Sequence, residues 1–116
     1  MITTFVTTRI SRIVALSLAV GVAPVAVAAQ AERGKEVYAA QKCQVCHAIG
    51  GVGNKQLPLD GVGKKLTADV IKQWIVSPVE AAKATNSSKK PPMPAKYGAL
   101  PAADIDALVA YMQSLK

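Results

Sequence analysis

From Thr67 onward the chain repeats apolar positions in steps of three and four. Val70, Ile71, Trp74 and Ile75 fall on one face, with Thr67 ahead of them as an N-cap and Asp69 in the first turn. The pattern predicts a helix that stops before Pro78, because a residue followed by proline is pushed away from helical backbone. A second stripe, Ile105, Leu108, Val109, Met112 and Leu115, predicts a closing helix from near Pro101 to about Leu115. Asp104 suits the positive end of its dipole. A shorter helix is expected from Ala31 to Lys42, where Val37 and Tyr38 oppose Glu32, Arg33, Lys35 and Glu36. The Gly-rich run 49–54 and the stretch 58–63 read as turns, and the polar, basic and then proline-rich run 80–96 reads as irregular. No run shows convincing period-two alternation, so the expected fold is all-α.

The first 29 residues follow a different rule. Arg9 and Arg12 stand in a segment without acidic residues, an apolar run from Ile13 to Val20 follows, and Pro24 leads into Ala26-Val27-Ala28-Ala29. Basic start, short apolar stretch and small residues at the end describe a secretory signal peptide, with cleavage expected after Ala28 or Ala29. The apolar run falls short of the ~20 residues that a spanning helix uses. Retained, the segment would instead tether the domain to the outer face of a membrane.

Residues 30–116 are then the folded domain. The whole chain carries 14 Lys and Arg against seven Asp and Glu; Arg9 and Arg12 leave with the leader, so 12 face seven and the domain is formally +5. It keeps one Trp and three Tyr but loses the only Phe, Phe5. So small a core is marginal on apolar burial alone, and such domains commonly recruit a metal, a disulfide or a cofactor. No block of five like charges suggests a nucleic-acid arm; the moderate positive charge suits acidic proteins or anionic lipid heads.

The two cysteines stand in Cys43-Gln44-Val45-Cys46-His47. A structural zinc site wants four Cys or His ligands, and the chain offers two Cys and one His. A redox dithiol expects a strand-to-helix turn that is not visible here, and a plain disulfide leaves the adjacent His without a role. Covalent haem attachment uses every residue of the motif: two thiols form thioethers with the porphyrin vinyls, and the imidazole that follows stands under the iron. Export agrees with it, since such attachment occurs outside the cytoplasm.

With His47 the only histidine, a second axial ligand from this chain points to methionine. Met1 leaves with the leader and Met112 belongs to the helical core stripe. Met93, in Pro91-Pro92-Met93-Pro94, sits in a stretch that cannot be helical and is stiffened by its prolines. It is the expected sixth ligand; the plain alternative is an exposed side chain in a Pro-rich linker.

Taken together the residues resemble class I (mitochondrial-type) cytochrome c domains, in particular the small soluble bacterial ones. The resemblance runs through Gly34, Val37 and Tyr38, Cys43-x-x-Cys46-His47, Pro58-Leu59-x-Gly61-Val62-Gly63, Leu66-Thr67-Ala68, Trp74-Ile75, Pro78, Met93-Pro94 and Leu108-Val109-Ala110-Tyr111. It implies three to four short helices wrapped around one haem c, with iron between His47 and Met93. It also implies that Pro58 offers its carbonyl to the free nitrogen of His47, that Gly34 and Tyr111 meet where the first and last helices cross, and that Trp74 lies along the haem edge. Two departures stand out: relatives place Gly-Pro-x-Leu where this chain has Leu57-Pro58-Leu59, and Pro101 replaces a common Ser or Thr cap.

The function expected is single-electron transfer and not catalysis, by a periplasmic monomer docking on acidic redox partners through Lys55, Lys64, Lys65, Lys89, Lys90 and Lys96. The rivals are a tightly held electron-transfer subunit of a dehydrogenase or oxidase complex, and a haem sensor or peroxidase-like enzyme with a labile sixth ligand. Nucleic acid is not an expected partner, and a membrane only transiently or through a retained leader.

Overall fold

A computed structural model describes residues 24–116, so residues 1–23 of the expected leader lie outside the described residues. Five α-helices follow in order: α1 (Pro24–Ala40), α2 (Val62–Lys65), α3 (Ala68–Val76), α4 (Pro78–Ala84) and α5 (Ala102–Ser114). Two short 3-10 turns, Cys43–Val45 and Ala95–Ala99, lie between them. The only strands among the described residues are β1 (Ala48–Ile49) and β2 (Val52–Gly53), which pair antiparallel as a minimal hairpin. The fold is all-α, with one short turn of helix more than the expected three to four.

The core is where α1, α3 and α5 meet: Val37 and Tyr38 from the first, Ile71 and Ile75 from the second, Ile105, Leu108 and Met112 from the third. These are the apolar stripes of the sequence, and Met112 is buried among them. The α1–α5 crossing is close because Gly34 has no side chain; a Cβ there would fall 1.9 Å from the Ala107 carbonyl oxygen. Tyr38 and Tyr111 pack edge to face beside it, with ring centroids 5.8 Å apart. The Arg33 guanidinium closes the same crossing, donating to Asp104 Oδ1 at 2.8 Å.

Three local features differ from the sequence pattern. Pro78 does end α3, but it also opens α4, so residues 80–84 of the run expected to be irregular are helical. The physical reason is that proline at the first helical position loses only an N–H that would be unpaired there anyway. Glu80 in that first turn pairs with Lys83 at 3.0 Å. Second, α1 begins at Pro24, ahead of Ala31, and runs through the expected cleavage point; positions 25–30 are exposed and add nothing to the core. Third, the α2 turn at Val62–Lys65 was not legible as helix. Thr67 behaves as expected: its hydroxyl accepts the Val70 N–H at 3.4 Å and caps α3.

Candidate functional site

The chain leaves α1 through Lys42, which adopts left-handed backbone, and enters the 3-10 turn of Cys43–Val45. The N–H groups of Cys46 and His47 both donate to the Cys43 carbonyl, at 3.1 and 3.0 Å. Two free thiols and an imidazole are thereby held on a single tight turn. Cys43 is half-buried against the core, and that burial pushes its thiol pKa up; Cys46 is exposed.

His47 is half-buried, and its Nδ1 lies 3.1 Å from the Leu57 carbonyl. A carbonyl only accepts, so Nδ1 carries the proton and Nε2 keeps its lone pair. Burial pushes the imidazole pKa down, partly offset by this hydrogen bond. The ring is held neutral and oriented, the form in which an imidazole can donate to a metal.

The carbonyl that accepts from His47 belongs to Leu57, not to Pro58 as the resemblance implied. An isolated parallel bridge joins Ala48 to Pro58: the Ala48 N–H donates to Leu57 O at 3.3 Å, and the Leu59 N–H donates to Ala48 O at 2.8 Å. This register turns the residue before the proline toward the imidazole. Pro58 is exposed and contributes by restricting the backbone of Leu57. The signal was present in the sequence, as the displaced Leu57-Pro58 pair.

Met93 is half-buried and packs on the same core as Cys43, in contrast to an exposed linker residue. Trp74 is half-buried on α3 but stands outside the side chains packed on that core. Tyr97, which the sequence reading passed over, joins them: it packs on the core, the nearby Cys43 and Cys46 sulfurs help burial push its phenol pKa up, and the Lys96 ammonium stands 5.1 Å from its ring centroid. Its signal was its position just beyond Met93-Pro94. Lys55, Lys64, Lys65, Lys89, Lys90 and Lys96 are all exposed.

Two surface concavities flank α1, of about 220 and about 500 Å³, and neither is lined by Cys43, Cys46, His47 or Met93. The site is defined by its donor set. Among the described residues no three His, Cys, Asp or Glu side chains are placed to hold a metal ion together, so the geometry gives the zinc alternative no support. A haem fits the residues present. It uses thiols for covalent attachment and a neutral imidazole and a thioether as iron donors, and Cys43, Ile49, Leu59, Val62, Leu66, Met93, Tyr97 and Leu100 border the core only partly buried. Apolar surface of that kind suits a large flat ligand.

An all-α domain with this attachment turn defines the class of small covalent-haem proteins. The sequence pattern of the cytochrome c family matches residues 31–116, and the chain belongs to that family. Comparison with curated proteins and with solved structures finds no match. Membership makes the protein a haem-binding electron carrier, with haem c held covalently.

Proposed function

We propose that the chain is an exported single-electron carrier whose iron is six-coordinate, bound by His47 Nε2 and the Met93 sulfur. Cys43 and Cys46 hold the porphyrin through thioethers. The observation that carries this reading is the His47–Leu57 hydrogen bond, which fixes the tautomer and aims the unprotonated nitrogen away from the carbonyl. Haem supplies the reversible ferric–ferrous couple. The protein's own residues do the rest: Leu57 makes the imidazole a better donor, Met93 favours the ferrous form, and the prolines hold Met93 in place.

Docking is proposed at the exposed Cys46, next to Val45, which is 67% exposed, with Lys96 close enough to act on the Cys43 thiol and the other exposed lysines adding to the positive charge of the surface. Apolar contact near a thioether with a basic surround suits an acidic partner. The carrier is proposed to act in the periplasm after cleavage near residue 29.

A redox titration of the purified holoprotein tests the core of this reading. Expected is a one-electron transition with no ferrous carbon monoxide binding at neutral pH, on a protein eluting as a small monomer. Rapid, full carbon monoxide binding would favour a labile sixth site, and co-elution with a large complex would favour the subunit reading. N-terminal sequencing checks the cleavage point.

A further inference from the structure

The Gly-rich loop, legible in the sequence only as a turn, contains a residue that links both halves of the His47 arrangement. The backbone N–H of Asn54 donates to Gln44 O at 3.0 Å and to His47 O at 3.1 Å, and its side-chain Nδ2 donates to Val45 O at 3.3 Å. On its other side, Asn54 Oδ1 accepts the Gln56 N–H at 3.1 Å, and its carbonyl accepts the Leu57 N–H at 3.4 Å. Asn54 thus grips the turn that carries the imidazole and also the two residues that end in the carbonyl facing it. Gly53 permits this approach: its φ is +106°, and a Cβ there would fall 2.2 Å from the His47 oxygen.

We propose that Asn54 is a positioning residue for the His47 ligand, setting how closely the Leu57 carbonyl meets imidazole Nδ1. The inference rests on His47 being an iron ligand, as proposed above. The physical path is short. An acceptor at Nδ1–H raises the electron-donating power of the ring toward a metal. When the acceptor retreats, the ring donates less, ferric iron loses stabilisation and the reduction potential rises. The side-chain bond from Gln56 is the two-residue Asx turn that asparagine forms readily, and a serine hydroxyl can reproduce it more weakly. Because Asn54 is exposed, water replaces its lost bonds in part, and the effect is graded.

The test compares native holoprotein with Asn54→Ala and Asn54→Ser by two readouts: solvent exchange of the imidazole Nδ1–H in NMR, and the reduction potential. Expected for Asn54→Ala is exchange faster by about tenfold, the factor carried by one ordinary hydrogen bond, together with a higher potential. Asn54→Ser should return both toward native. Native exchange and native potential in Asn54→Ala would overturn the proposal while leaving the ligand assignment intact. If Asn54→Ala does not accumulate with haem, Asn54→Ser decides: near-native values support the role, and its failure to accumulate, or values far from native, contradict it. An iron-shifted imidazole missing from native protein would remove the His47 reading and this inference together.

Discussion

The segment Cys43–Leu59, which carries the imidazole, and the segment Ser88–Pro94, which carries the thioether, are held by different means. The first is closed by hydrogen bonds: the attachment turn on itself, Ala48 onto Leu57 and Leu59, Asn54 onto Gln44 and His47, and the Gly50 N–H onto Asp60 Oδ1 at 2.8 Å. In the second, no backbone hydrogen bond among the described residues involves positions 88–93. Pro91, Pro92 and Pro94 restrict the backbone there, and Met93 is seated by apolar contact. A ligand that must keep one tautomer and one ring orientation needs directional bonds around it. A thioether needs only to be near, and stiffness with packing suffices. The first segment should therefore tolerate change poorly and the second well, apart from Met93 itself.

The largest effect comes from removing both tethers. Cys43→Ala with Cys46→Ala should abolish covalent haem, seen as complete haem extraction into acidic organic solvent and loss of the added mass. Next, Met93→Ala should keep covalent haem but lower the potential and open the iron to carbon monoxide, because the segment around it is not part of a hydrogen-bonded frame. Backbone changes sharpen the contrast further. Gly53→Ala forces left-handed backbone and a clash with the His47 carbonyl, and should destabilise by about 1–3 kcal/mol in denaturant unfolding. Pro92→Ala in the other segment should cost less than about 1 kcal/mol, the unfolded-chain entropy of one proline.

A last effect appears only at high pH. Burial pushes the Tyr38 phenol up to about 12 from its ordinary 10, and its hydroxyl reaches the His47 carbonyl at 3.4 Å. The unfolded chain therefore releases this proton first. The Tyr38 contribution to stability is complete below pH 10 and is lost as pH rises through 12. Between pH 10 and 12 native protein should lose stability more steeply than Tyr38→Phe, whose lost hydroxyl bond adds only a constant offset, and parallel curves across that window would dismiss the contribution.

What the sequence revealed follows the same division. The α3 and α5 stripes, the Thr67 cap and the placing of Met112 in the core were readable because each depends on helical spacing within one segment. The attachment motif was readable because its chemistry needs contiguous residues. The displaced Leu57-Pro58 pair marks where the acceptor lies, but which of the two carbonyls faces the imidazole is set by the bridge to Ala48, a backbone pairing that spacing alone does not reveal. The α4 helix was missed because Pro78 signals a stop and a start alike, and the neighbours that favour the start lie beyond it. Tyr97 reads as an ordinary aromatic until the fold brings it beside the two sulfurs.

The pairing of a bonded imidazole with a proline-framed thioether is tested most directly by proton NMR of the reduced holoprotein. A methionine methyl lying against the porphyrin face is shielded by the ring current and gives a three-proton signal far upfield. Expected is one such signal in native protein, absent from Met93→Ala and unchanged in Met112→Leu, which keeps the core filled. Persistence of the signal in Met93→Ala, or its disappearance in a folded Met112→Leu, would contradict Met93 as the ligand.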